Sequence, residues 1–299
     1  MSVFETDSRL PFTAGVIAIL AMLGGAAAAV IGAVLTPISL ITFLYIVVAL
    51  LLVVVTAYVA MQLPGYLRSS YALDRNALVI RWGGLREVVP MADIQRVIAA
   101  TDLADGLRLR RFPLPGWWQG KGSHPALGRL YFYATEGLQN QIVVITPERN
   151  YVISPYDSEG FLDAFNARFD MRPTQHVVYS RMEPRYMTWK FWRDRAAHLL
   201  LLTMVVAHLG LVALATGRYP AAPAQIPLHF DAAGVVDRVG PRTQMFAPML
   251  VAAILLLLGV AAGLLAYLRR ESSLAYLLWG GGIAVQLMFA VAILTIAFT

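Results

Sequence analysis

YALDRNALVIRWGGLREVVPMADIQRV (residues 71–97) is where the chain stops reading as membrane and starts reading as a folded, water-facing unit. Runs of Val, Ile, Leu, Tyr and Trp at 71–74, 77–82 and 85–89 are separated by Arg75-Asn76 and by Gly83-Gly84. Glycine tolerates positive φ, so the second break is a tight hairpin signal. A short turn at Pro90-Met91-Ala92-Asp93 leads to a further strand at 94–100, and similar runs at 129–135, 141–146 and 151–154 predict more strands. After Pro155 the period changes. Phe161, Phe165 and Phe169 recur every four residues with Leu162 beside them, which predicts an amphipathic helix with Asp157 as its N-cap.

Outward from this stretch the chain turns apolar. The sequence of 299 residues is 58% hydrophobic and only 14% charged, against about 25% charged for an ordinary soluble domain. Residues 12–35 and 38–63 read as a transmembrane hairpin turning at Pro37. The first is too long and too weakly flanked by basic residues for a cleaved signal peptide. Its Gly25/Ala29 and Ala28/Gly32 pairs leave one face nearly bare, which suits close packing of a neighbouring helix, either within the chain or in a dimer. Further spans are expected at 196–216, 246–268 and 274–298.

The expected fold is thus an α-helical membrane protein with five transmembrane helices and an inserted β-rich barrel domain closed by a C-terminal helix. Its divisions are 1–66 (hairpin), 67–170 (β-rich domain), 171–195 (a basic, aromatic interfacial helix running into the third span) and 196–299 (three spans with a loop at 217–244).

The strands carry a resemblance. Residues 71–97, LPGWWQGKG (114–122), LYFYAT (130–135) and YVISPYDSEGFLDAF (151–165) together resemble the bacterial pleckstrin-homology (PH) domain family. That resemblance implies a PH-like barrel, a bacterial inner-membrane setting and no assigned activity. In the loop at 217–244, IPLHFDAAGVVDRVG (226–240) resembles a bacterial membrane domain of unknown function found also at the head of Sdp-type toxin-immunity membrane proteins. Pro227, His229, Phe230, Gly234, Asp237 and Arg238 carry that partial match. His229, Phe230, Asp231, Gly234, Asp237 and Arg238 are therefore candidate binding residues, against the alternative of a rigid turn.

Two clusters read as membrane-interface contacts, because indole rings sit at headgroup depth and arginine meets phosphate. One joins Arg110 and Arg111 to Trp117 and Trp118; the other joins Trp189 and Lys190 to Trp192 and Arg193. His208 lies near the middle of the third span, where histidine is costly. It is either hydrogen-bonded to a neighbouring helix or a single axial ligand for haem or chlorin. His198 stands about 15 Å along the same helix and about 80° round it, so the two cannot share a metal.

No metal site is expected from the spacing of His229 and Asp231, and no cofactor beyond the His208 question. Cysteine is absent, which excludes disulfides and thiolate chemistry. There is no Gly-x-Ser-x-Gly elbow, phosphate-cradling glycine loop or His-Glu-x-x-His helix, so an enzyme is not expected. The predicted spans hold no Asp, Glu, Lys or Arg, which argues against an ion-coupled transporter. The net charge of +6 is assigned to topology rather than nucleic acid.

Counting arginines at the span ends puts the N-terminus and β-rich domain in the cytoplasm and the C-terminus outside. The expectation is a non-enzymatic scaffold or accessory subunit meeting lipids and a protein partner. The alternative is a sensor or toxin-immunity-type protein acting through the loop around His229.

Overall fold

The computed structural model describes residues 1–103, 105–109, 113–184, 189–233 and 235–298. The chain separates into two compact units, Met1–Gly24 with Val53–Met187 and Gly25–Leu52 with Thr188–Thr299. Among the described residues, five helices are long and apolar enough to cross a membrane, which makes this a multi-pass membrane protein.

In chain order the first unit holds β1 (Ser2–Glu5), the first part of α1 (Arg9–Leu35) and the last part of α2 (Leu40–Leu67). It continues with β2 (Ser69–Leu73), β3 (Ala77–Trp82), β4 (Leu85–Pro90), β5 (Arg96–Ala99), β6 (Arg108–Leu109), β7 (Trp118–His124), β8 (Gly128–Ala134), β9 (Ile142–Ile145) and β10 (Asn150–Ile153). It ends with α3 (Ser158–Asp170) and β11 (Ser180–Met182).

The strands form two sheets, ordered β1-β2-β3-β4-β11 and β5-β9-β10-β8-β7-β6. Neither closes on itself, so the closed barrel expected from the sequence is here a pair of open sheets. The β3–β4 hairpin turns where predicted: Trp82 pairs with Leu85, and Gly83 takes φ +59. α3 starts as expected, with Asp157 Oδ1 accepting the Gly160 N–H at 2.9 Å. Its apolar stripe ends early, since Phe161 and Phe165 are buried while Phe169 is 41% exposed and stacks on Phe165.

The central strands of the second sheet, β9, β10 and the end of β8, are buried on both faces, as their near-continuous apolar runs require. Tyr133, Ile142, Val144, Tyr151 and Ile153 point into the core shared with the first sheet and α3. Leu130, Phe132, Val143, Ile145 and Val152 form a second cluster under Ala100 and Leu103.

Three segments depart from expectation. Residues 2–5, for which no strand was expected, form β1 and pair with β2 in register Ser2–Leu73. α2 does not stop at residue 63 but continues through Pro64 to Leu67, and Val59 and Tyr66 enter the core of the β-rich unit.

Among the described residues, 171–195 holds no interfacial helix running into α4 (Arg195–Arg218). Residues 171–175 are tied down instead. Arg75 donates to the Met171 and Arg172 carbonyls, and Asn76 Oδ1 accepts the Thr174 and Gln175 N–H groups. β11 then adds to the edge of β4. Only the 3-10 turn Lys190–Arg193 precedes α4.

In the second unit, α4, α5 (Phe246–Leu268) and α6 (Ser272–Phe298) pack as a bundle, with the hairpin β12 (Gln225–Phe230) and β13 (Val236–Pro241) between α4 and α5. Trp279 is fully buried. A Cβ on Gly263 would stand 2.1 Å from its indole nitrogen, so only glycine leaves room there. The small face of α1 is used within the chain: a Cβ on Gly25 would meet Leu52 at 3.2 Å and one on Gly32 would meet Tyr45 at 2.9 Å.

Candidate functional site

The most unusual arrangement in the first unit was not foreseen from sequence. Period-2 alternation along β4 sends Leu85, Glu87 and Val89 to one face, so a carboxylate occupies a core position at 0% exposure. A buried charge must be paired and hydrogen-bonded, and this one is. The hydroxyls of Tyr179, Tyr133 and Tyr151 donate to it at 2.7, 2.9 and 3.0 Å. Arg149 and Arg181 stand at 3.6 Å from its two oxygens.

The arginines are held in turn. Arg149 donates to Tyr179 Oη at 2.6 Å, and Arg181 donates to Glu183 at 2.6 Å. Burial first, and the neighbouring Glu87 charge second, push the Tyr133 and Tyr151 hydroxyls upward. Burial and the hydrogen bond to Glu87 push Tyr179 up to about 12. All three stay neutral donors at physiological pH. The network joins β4, β8, β10 and the 171–184 segment. The available signal was an acid on the inward face of a predicted strand.

Trp117 is corrected from an interface contact to a core residue. It is 2% exposed, its indole donates to the Pro11 carbonyl at 2.8 Å, and its ring lies 4.7 Å from that of Tyr66. Trp118 begins β7, opposite Ala134, and is half-buried. Residues 118–124 form the strand β7, which the sequence did not signal. Arg110 and Arg111 lie outside the described residues. Trp189 and Trp192 are 42% and 53% exposed, and Lys190 and Arg193 are also exposed.

In the hairpin of the second unit, β12 and β13 pair with irregular register on both sides of His229. His229 Nδ1 and Asp237 Oδ1 are 2.7 Å apart, at 64% and 46% side-chain exposure. Asp231 is a turn former, its Oδ1 accepting the Ala233 and Val235 N–H groups at 2.8 Å. Arg238 is exposed on β13. Gly234 and the Phe230 side chain lie outside the described residues. His229 and Asp237 thus meet, while Asp231 turns to the backbone. Among the described residues no group of three or more acidic, His or Cys side chains could hold a metal ion.

His208 meets Gln286 on α6, with Nδ1 to Oε1 at 3.0 Å, and Gln286 Nε2 donates to the Ala252 carbonyl at 2.9 Å. A carbonyl only accepts, so the amide orientation is fixed and Nδ1 must carry the proton. This is the hydrogen bond to a neighbouring helix that was one of the two sequence readings. It joins α4, α5 and α6 in apolar surroundings.

At the end of that bundle where α4 begins, Asp194 caps α4 by accepting the Ala197 N–H at 3.1 Å, and it also accepts from the hydroxyls of Tyr267, at 2.7 Å, and Tyr276. Those hydroxyls, the Tyr276 one first, hold its carboxyl down to about 2 against the opposing effect of burial.

No curated protein and no solved structure matches this chain. Two family comparisons do match, on the stretches from which the resemblances were read. Residues 69–169 match the bacterial PH domain, and residues 205–253 match a domain of unknown function, DUF1648. The chain is a membrane protein that carries a bacterial PH domain between its second and third apolar helices and a DUF1648 segment running from α4 through the β12–β13 hairpin into α5.

Proposed function

We propose that this is a non-enzymatic scaffold or accessory subunit of a bacterial inner-membrane assembly, in which the membrane helices hold the PH domain at the cytoplasmic surface as a docking module. The observation that carries the reading is the sharing of one core by helix and sheets. Val59 and Tyr66 of α2 are buried with Tyr71, Ile80, Trp82 and Trp117, and the 171–184 segment is locked by Asn76 and Glu87. A module fixed at both its entry and its exit presents its surface in one orientation, which suits assembly better than tethered capture. Orientation follows from charge: Arg9, Arg68, Arg193, Arg195, Arg269 and Arg270 fall at span ends on one side, against Arg218, Arg238 and Arg242 on the other.

The test is site-specific photo-crosslinking of the full chain in cells, from the exposed positions Arg81 and Arg129 of the PH domain and from Val239 of the hairpin. One protein adduct common to both PH positions, absent from Val239 and co-purifying in fixed ratio, supports the reading. Adducts to lipid and to the chain itself only would refute it.

The exposed His229–Asp237 pair favours a second reading, a sensor or toxin-immunity protein whose hairpin meets an external peptide. Replacing both residues by alanine separates the two: lost protection against an external agent favours the second, and lost co-purifying subunits favour the first.

A further inference from the structure

A cleft of about 450 Å³ opens at the end of the helical bundle where α4 begins, α5 ends and α6 begins, at the termini of these apolar spans. Lys190 and Arg270 both line it, and among the described residues neither is paired with a carboxylate. The local balance is strongly positive, with Lys190, Arg193, Arg195, Arg269 and Arg270 set against Asp194 and Glu271 alone. Asp194 is already occupied by a helix N–H and two tyrosine hydroxyls.

The backbone supplies an independent sign. Arg270 sits at φ +67, in the left-handed conformation, with its N–H on the Tyr267 carbonyl and the Glu271 N–H on the Ala266 carbonyl, both at 3.0 Å. This is the helix-terminating position that glycine usually takes. Arginine there accepts backbone strain, at a residue that lines the cleft. Trp189 and Phe191 add rings, and Leu264 and Leu268 an aliphatic wall.

We propose that this cleft is a headgroup site for an anionic phospholipid, in which Lys190 and Arg270 take the phosphate, the rings of Trp189 and Phe191 sit at glycerol depth, and Leu264 and Leu268 meet the acyl chains. The proposal rests on α4, α5 and α6 being membrane spans and is independent of any docking role for the PH domain.

The test is native mass spectrometry of the detergent-solubilised full chain titrated with phosphatidylglycerol or phosphatidylcholine. Retention of one phosphatidylglycerol at roughly tenfold preference is expected, with Lys190→Gln and Arg270→Gly each weakening it about fivefold and leaving phosphatidylcholine unchanged. Because glycine relieves the left-handed strain, Arg270→Gly should melt no lower than the parent, which separates lost binding from lost folding. Equal binding of the two lipids, undiminished phosphatidylglycerol binding by the double variant, or displacement of the lipid by millimolar inorganic phosphate would each overturn the proposal.

Discussion

Replacing Glu87 by leucine should destabilise the PH domain although it exchanges a buried charge for an apolar side chain. Tyr133 and Tyr151 are 6% and 1% exposed, and their hydroxyls would lose the acceptor they reach at 2.9 and 3.0 Å. An orphaned buried hydroxyl costs about 1–3 kcal/mol, so the two together cost about 4. Tyr179, Arg149 and Arg181 are partly exposed and can return to water, so their loss contributes close to nothing. Added apolar burial by leucine offsets about 1 kcal/mol, leaving a net loss of about 3.

Hydrogen exchange on the full chain reads this directly. Amides of β4, β8 and β10 should exchange about 100-fold faster in Glu87→Leu. Removing the orphaned hydroxyls as well, in the triple variant Glu87→Leu/Tyr133→Phe/Tyr151→Phe, should recover most of the protection, since a network removed whole costs far less than one left half-made. Unchanged protection in the single variant, or a triple variant no better than the single, would refute the account of Glu87 as the acceptor that holds these strands.

Asp157→Ala removes the acceptor of the Gly160 N–H and should cost about 1 kcal/mol, seen as faster exchange in the first turn of α3. Gly83→Ala places a Cβ at φ +59 and 3.1 Å from Gly65 Cα, and should lower the melting temperature by the equivalent of about 1–2 kcal/mol. Tyr179 is raised from 10.0 to about 12 in the fold, so its contribution is complete below pH 10 and is lost as pH climbs through 12; Tyr179→Phe should flatten that alkaline loss in a pH-stability series. The purified protein should show no visible absorption band; a Soret band abolished by His208→Phe would instead make His208 an axial haem ligand.

Strand pairs whose alternation is carried by Val, Ile and Trp were legible, as at Ala77–Trp82 and Leu85–Pro90. β7 was not, because WQGKGSH has neither a β-branched residue nor a hydrophobic period; its strand form comes from pairing along β8, from Trp118–Ala134 to His124–Gly128. β1 and β11 failed for a related reason. SVFE and SRM are too short and polar to signal a strand, and exist because β2 and β4 offer them edges. At the candidate sites, the His229–Asp237 contact was hidden because residues 217–244 read as a loop and the two meet only through the pairing of β12 with β13, and the Glu87 network needed partners drawn from three distant segments. Sequence separation hides such a network even though Glu87, Tyr133 and Tyr151 each stand at a plain core position.

The extension of α2 through Pro64 has consequences beyond its boundary. Proline lacks the N–H that would bond the carbonyl four residues earlier, so the helix is weakest there, yet the next turn continues and Arg68 N–H bonds the Pro64 carbonyl at 3.1 Å. Tertiary packing pulls the helix past its weak point. Tyr66, 1% exposed, stands 5.1 Å from Trp82 and 4.7 Å from Trp117, while Gly65 lets the Trp82 indole approach where a Cβ would stand 2.9 Å from its nitrogen. These contacts exist only if the last turn of α2 belongs to the same folding unit as the sheets. It follows that α2 cannot shift along its axis without opening the PH core, and that a bulky residue at Gly65 should loosen the β3–β4 hairpin, a coupling that hydrogen exchange at Trp82 and Leu85 would register.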